Sequence, residues 1–156
     1  MKNRIGIQTT KAKELAAHLN DLLADYQIHY QNLRGFHWNI QGPQFFELHV
    51  KFEELYTAAQ VSIDEIAERI LTLGETPRHT FADYLASASI PVHKDVTDAQ
   101  GTVEGTLAGL TILLSKEREI LGLASEAGDE GTVDLMTGYI SIQEKTTWML
   151  SAYLGQ

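Results

Sequence analysis

The chain has 156 residues, of which 44% are hydrophobic and 21% charged, and it contains no cysteine. This length fits one domain with a sizeable core, and the lack of cysteine excludes a disulfide scaffold, a cysteine-ligated metal site and a thiol nucleophile. Twenty-one acidic against 12 basic residues give a formal net charge of −9, so the surface repels nucleic acid and attracts cations. No apolar run reaches the ~20 residues of a membrane span. We expect a soluble, cytoplasmic protein.

Two long helices are predicted in the first half of the chain. Apolar residues three or four positions apart, from Leu15 to Leu33, predict a helix over residues 10–37. After a turn at residues 39–43, a second apolar stripe predicts a helix over residues 44–73. Gly74 is placed as its C-cap, and Pro77 follows as a stop.

The second half is predicted to contain a long connection and two further long helices. The connection, residues 78–95, holds a short helix over 81–87 with Thr80 as its N-cap. Helices over 98–125 and 129–154 follow, and Gly101, Gly105 and Gly109 indicate close packing of the first of them on a neighbour. No strand pattern or repeat is present. The prediction is an all-α four-helix bundle with one long crossover, a single domain over 1–156 with a flexible N-terminal tail at 1–9.

The second predicted helix carries the residues with the clearest potential for chemistry. His49 and Glu53 form one pair at i, i+4, and Asp64 and Glu68 form another, so all four share one face. Glu53 and Asp64 are 11 residues apart, about 16 Å along a helix. One helix therefore cannot close all four ligands on one metal centre.

A two-fold axis would bring these pairs together. His49 and Glu68 have residue numbers that sum to 117, and so do Glu53 and Asp64. If the helix packs antiparallel on its own copy, residue i meets residue 117 − i, with small residues, Ala58 and Ala59, at the midpoint. This predicts two identical sites per dimer, with His37 as a further ligand.

Imidazole and carboxylate ligands without thiolate favour iron, manganese or zinc. The alternative is a solvated acidic face, since carboxylates at i, i+4 are common on exposed helices, and a lone histidine such as His37 is often a core residue. The Glu-x-x-His pattern of a carboxylate site inside a bundle does not occur.

Four stretches of sequence, and two more at the C-terminal end, then point to a family. They are Phe36-His37-Trp38-Asn39, Gly42-Pro43-x-Phe45-Phe46-x-x-His49, Asp64-Glu65-x-Ala67-Glu68-Arg69, Leu73-Gly74, Trp148-Met149-Leu150 and Tyr153-Leu154-Gly155. At these residues, over nearly the whole chain, the sequence resembles the Dps family, the dodecameric mini-ferritins that protect bacterial DNA from starvation and peroxide. The resemblance implies a ferritin-like four-helix bundle.

The resemblance also implies a ferroxidase centre, with two irons, at a two-fold interface. His37 and His49 would come from one subunit and Asp64 and Glu68 from the other. Glu53 stands where many members have Asp, also a ligand or a second-site residue. Trp38 would lie beside the centre as an electron donor or radical quencher; the alternative is a packing aromatic at a helix end.

The implied activity is oxidation of Fe(II), with hydrogen peroxide preferred to dioxygen, and storage of ferric mineral in a hollow shell of twelve subunits built from two-fold dimers. Such a protein stores and detoxifies iron and protects the cell from oxidative damage. Asp129, Glu130 and Asp134 are the candidates for iron-entry pores. The alternative for these three is that acidic residues favour any helix N-terminus.

The sequence leaves two other functions open. A nucleoid-binding, DNA-protecting protein needs a basic tail, but the N-terminus offers only Lys2 and Arg4, with Lys11 and Lys13 near the first helix, and the C-terminus has no basic tail. We therefore expect weak or absent DNA binding at physiological salt. A helical interaction protein without a metal site is the third possibility.

The remaining histidines are given no function. His18 and His29 are expected at a helix surface or interface, and His79 and His93 lie in the connection.

Overall fold

The computed structural model describes residues 1–156 and contains five helices. Their bounds are α1 Thr9–Asn39, α2 Phe45–Leu73, α3 Phe81–Ser87, α4 Ala99–Ala127 and α5 Glu130–Tyr153. All five predicted helices are present, with ends within two residues of the predicted ones. There is no strand, and none of the five helices combines the length and the apolar composition of a membrane span. The all-α prediction is confirmed.

The helix ends follow from local capping chemistry. Gly74 ends α2 in the left-handed conformation, at φ 97°, which its lack of a Cβ allows. The side chains of Thr80 and Asp98 accept hydrogen bonds from the backbone N–H groups at the starts of α3 and α4. The predicted C-cap at Gly74 and N-cap at Thr80 are confirmed.

The four long helices enclose one apolar core. α1 packs along α2 and α4, α5 packs along α4, and α3 lies on α1. The predicted stripe of α1 faces inward, since Leu15, Leu19, Leu22 and Leu33 are each at most 1% exposed. Burial of a leucine contributes about 1.5–3 kcal/mol, so this stripe is a large part of what holds α1 in the bundle.

Buried polar side chains of α1 hold the long crossover in place. The carboxylate of Asp25 accepts hydrogen bonds from the backbone N–H groups of Ser89 and Ile90, at 2.6 and 2.8 Å, and forms an ion pair with Lys116 of α4. Asn32 makes two further hydrogen bonds to the same connection. These contacts keep α3 and the crossover against the bundle, although the connection is mostly irregular.

The N-terminal segment, expected as a flexible tail, lies against the end of α2. The Asn3 side chain donates a hydrogen bond to the carbonyl of Leu73 at 3.2 Å, and Ile7 is 8% exposed. The backbone N–H of Thr9 closes a loop onto the carbonyl of Met1 at 2.9 Å. The hydrogen bond to the Leu73 carbonyl, at the C-terminus of α2, and the burial of Ile7 give this segment a defined position.

The expectation that His29 lies at a helix surface or interface is wrong, because this side chain is 6% exposed in the core. The spacing of glycines in α4 explains how it fits. A Cβ at Gly109 would lie 2.7 Å from His29 Nδ1, and one at Gly105 would lie 3.1 Å from the Phe36 ring. The predicted close packing of α4 on a neighbour is therefore found, and the neighbour is α1.

Candidate metal centre

The candidate centre is built around two histidines from adjacent helices. His37 lies in the last turn of α1 and His49 in the first turns of α2, and residues 40–44 between the helices turn the chain back on itself. The two imidazole rings stack with their centroids 3.8 Å apart and their planes 12° from parallel. His37 is 8% exposed and His49 is half-buried. The predicted pairing of these two residues is thus present within one chain.

Reciprocal hydrogen bonds fix both rings. His37 Nδ1 lies 2.6 Å from the carbonyl oxygen of His49, and His49 Nδ1 lies 2.8 Å from the carbonyl oxygen of His37. A carbonyl oxygen only accepts, so each Nδ1 carries the proton and donates. In the neutral form of each ring, this tautomer presents Nε2 with a free lone pair, the form in which histidine binds metals. Neither Nε2 has a hydrogen-bond partner within the chain.

Aromatic neighbours hold the two rings from further out. Phe45 stacks on His49 with ring centroids 4.9 Å apart, and Tyr56 meets His37 edge-on at 5.4 Å. Pairs of this kind contribute about 0.5–1.5 kcal/mol beyond area burial. Tyr56 was not among the residues predicted for the site. Phe45 lies four residues before His49 on the same helix, which is the signal that could have identified it.

The predicted carboxylate ligands are not brought to the histidines within one chain. Glu53, Asp64 and Glu68 are exposed on α2, and none forms an ion pair or a side-chain hydrogen bond with its own chain. No group of three or more histidine, aspartate or glutamate side chains within the chain could hold a metal ion. The ligand set is therefore divided: two oriented nitrogens at one end of α2 and unpaired carboxylates further along it.

Large apolar side chains are exposed near these residues. Trp38 is 56% exposed directly after His37, and the guanidinium of Arg34 lies 4.8 Å from the centre of its ring. On α2, Phe46 is 81% exposed and Leu71 is 58% exposed. Apolar exposure on this scale, beside charged ligands, is typical of an interaction surface.

The three predicted pore residues differ in their surroundings. Asp129 is 2% exposed; it caps α5 by accepting from the Thr132 N–H and pairs with the guanidinium of Arg69 at 2.5 Å. Because this carboxylate is buried and already paired within the bundle, we no longer include Asp129 among the proposed pore residues. Glu130 and Asp134 are exposed and stay candidates. The sequence did not show the difference, because the partner, Arg69, belongs to another helix.

Comparison with known proteins identifies the family. Residues 16–156 match the family described as a ferritin-like domain. The chain is 47% identical, over 95% of its length and 93% of the relative's, to a "DNA protection during starvation protein" of Porphyromonas gingivalis. It is also 50% identical to an uncharacterized protein of Haemophilus influenzae, over 97% of this chain and 94% of that one.

Solved structures agree with the sequence matches. A Dps protein from Vibrio cholerae O1, described as a member of a broad superfamily of ferritin-like diiron-carboxylate proteins, is 55% identical with a TM-score of 0.97, covering 98% of this chain and 96% of that one. A Dps protein from Bacillus brevis is 38% identical with a TM-score of 0.90, covering 95% of this chain and 99% of that one.

These findings first define the class: the molecule is a ferritin-like helical bundle. Within that class, the chain belongs to the Dps family. The predicted family and the ferritin-like fold are therefore confirmed.

Proposed function

We propose that this protein oxidises Fe(II), with hydrogen peroxide as the preferred oxidant, at a centre shared between two subunits, and stores the ferric product. The observation that carries the proposal is the histidine pair. His37 and His49 are held by reciprocal hydrogen bonds that leave both Nε2 lone pairs free. In these two rings Nδ1 is bonded to a backbone carbonyl and Nε2 is left unbonded, which is the arrangement that metal-ligating histidines have.

A two-fold dimer would complete the ligand set. With residue i opposite residue 117 − i, the partner's Glu68 would lie across from His49 and the partner's Asp64 across from Glu53. The same relation places the exposed Phe46 opposite the partner's Leu71, so two large apolar side chains would be buried together. Apolar exposure and unpaired carboxylates on α2 thus support the same arrangement.

The residues fit the chemistry of iron as a substrate. Neutral imidazoles suit ferrous iron at pH 7, and the carboxylates of Asp64 and Glu68 are hard oxygen ligands that favour the ferric product. Glu53 would serve a second iron. Two ferrous ions supply the two electrons that one peroxide accepts, and with two protons the products are two ferric ions and two waters. No hydroxyl radical is released in this balance.

Trp38 would protect the site when iron supplies only one of the two electrons that peroxide accepts. It follows His37 in sequence and is 56% exposed, with Arg34 over its ring. An indole next to the site can give an electron to a partly reduced oxidant. Its exposure in the single chain supports this role over that of a packing aromatic at a helix end.

Storage would require a closed shell. Twelve chains, each with a formal net charge of −9, would carry −108, which concentrates cations near the surface and at acidic openings. Glu130 and Asp134, both exposed, are the proposed pore residues. The proposed location is the cytoplasm.

DNA binding is the second candidate function, because relatives carry the name of DNA protection proteins. Lys2 and Arg4 are exposed and available for phosphate contacts, but Lys11 is paired with Glu14 at 3.2 Å. We propose that binding to DNA is weak or absent. A mobility-shift titration at graded salt tests this: no shift at physiological salt agrees with the proposal, and a stable shift there contradicts it.

Single substitutions test the ferroxidase proposal. We expect His49→Ala and Asp64→Ala each to slow peroxide-dependent Fe(II) oxidation by at least about tenfold, since each removes a ligand. His79→Ala is the matched control, because His79 is exposed and distant in the connection. Formation of ferric product is followed by absorbance after mixing. Rates for His49→Ala and Asp64→Ala equal to that of the control would contradict the proposal and favour a helical interaction protein without a metal site.

A further inference from the structure

A cavity of about 300 Å³ lies between α1, α2, α4 and α5, away from the candidate metal centre. Its walls are mostly apolar and include Leu55, Ala59, Leu110 and Leu113, and the rings of Tyr26 and Tyr139 add aromatic surface. These two rings lie 5.9 Å apart at 53°. A volume near 300 Å³ is at the lower end of the range for small-molecule sites, about 300–1,000 Å³.

His29 lines this cavity and has no hydrogen-bond partner in the chain, although it is 94% buried. The Nδ1–Cε1 edge of its ring lies on the backbone of α4 at Gly109, which leaves Nε2 as the nitrogen turned away from that backbone. Burial lowers the pKa of His29 to about 4, so the ring is neutral at pH 7. A neutral imidazole carries one donor and one acceptor, so a ligand in the cavity that reaches Nε2 can form a hydrogen bond with it.

Tyr139 supplies a second available polar group. Its hydroxyl lies 3.4 Å from Glu65 Oε1 and 3.5 Å from the Ser62 carbonyl, both at the long limit for hydrogen bonds. Burial raises the pKa of Tyr139, so it stays protonated. The Tyr26 hydroxyl and Gln143 Nε2, by contrast, are bonded to each other and to Glu117, whereas Gln143 Oε1 is buried without a partner.

We propose that this cavity binds a small neutral molecule with an aromatic ring and one hydroxyl group, that is, a simple phenol. The hydroxyl would hydrogen-bond to His29, and the ring would lie among the apolar walls and the two tyrosine rings. An anionic ligand does not fit, because the lining offers the carboxylate of Glu65 and no lysine or arginine, and burial of an unpaired ion is costly. None of the proposed iron ligands lines the cavity, so the site is independent of the ferroxidase centre.

Phenol is the probe, with benzene and benzoate as matched compounds that lack the hydroxyl or carry a charge. We expect saturable binding of phenol to the assembled protein at pH 7, with a Kd of about 1 mM, measured by saturation-transfer NMR. Benzoate is expected not to bind. Absence of saturable phenol binding at ten times this concentration, or benzoate binding as tight as that of phenol, would overturn the proposal.

Two variants locate the site. His29→Leu should weaken phenol binding about tenfold while benzene binding stays unchanged, because only the hydroxyl loses its partner. Thr146→Phe, at a half-buried position in the lining, should abolish binding of both compounds by filling the cavity. His79→Leu is the exposed control and should change neither. If His29→Leu does not fold, Thr146→Phe decides: phenol binding equal to that of the unsubstituted protein would place the phenol elsewhere and overturn the proposal.

Discussion

Glu117 shows how one residue of the core sets a pH dependence. It is 0% exposed, and its Oε2 accepts hydrogen bonds from the Tyr26 hydroxyl at 2.7 Å and from Gln143 Nε2 at 3.1 Å. Burial raises the pKa of Glu117 from 4.5 to about 7, against the lowering effect of these hydrogen bonds. Its Oε1 has no partner. A carboxyl in this environment favours its protonated form.

The sign of the effect on stability follows from linkage. Between pH 4.5 and 7 the folded protein keeps the Glu117 proton and the unfolded chain releases it, so the free energy of unfolding falls as pH rises. Relative to Glu117→Gln, the unsubstituted protein should lose about 3 kcal/mol across this window. Urea unfolding of both proteins at pH 4.5 and at pH 7 measures the difference. An identical pH dependence in the two proteins would show that Glu117 ionises normally.

At the scale of the helix, Gly105 and Gly109 of α4 lie directly against side chains of α1. Gly109 faces His29, and Gly122 in the same helix has no heavy atom within 4 Å of an added Cβ. Gly109→Ala should therefore lower the free energy of unfolding by about 1–3 kcal/mol through overpacking. Gly122→Ala should raise it by about 0.5–1 kcal/mol through higher helix propensity. Thermal unfolding of both variants checks this, and a loss of equal size in both would exclude a specific contact at Gly109.

The sequence predicted the elements better than their contacts. Apolar spacing predicted the first two long helices, because each long stripe must be buried, and Gly74 and Thr80 marked ends by local chemistry alone. The burial of Asp129 and His29 depends on residues of other helices, Arg69 and Gly109, whose positions follow only from packing. Local pattern contains no information about such pairs.

The same limit applies to the candidate centre. Motif spacing selected His37 and His49, but their stacking and reciprocal hydrogen bonds depend on the path of the turn at residues 40–44. The turn brings each Nδ1 onto the other residue's carbonyl, which then selects the tautomer. The carboxylates of Asp64 and Glu68 are exposed in the single chain, and their proposed role depends on a second copy.

At the scale of the whole molecule, a divided site predicts complementation between inactive chains. One chain would carry His37→Ala and His49→Ala, and the other Asp64→Ala and Glu68→Ala. Each alone should be inactive, but a mixed two-fold dimer restores one complete site out of two. With random pairing, about a quarter of all sites should be active in a co-expressed assembly. Oxidation of Fe(II) by the purified mixture measures this, and inactivity of a mixture shown to contain both chains would indicate a site within one chain.

The central claim is that His37 and His49 of one subunit share iron with Asp64 and Glu68 of another. Anomalous scattering from iron-soaked crystals tests it most directly. The predicted result is an iron peak at the two-fold interface, within bonding distance of the Nε2 atoms of both histidines and of carboxylate oxygens from the partner subunit. An interface without iron, with these side chains turned to solvent, would contradict the account.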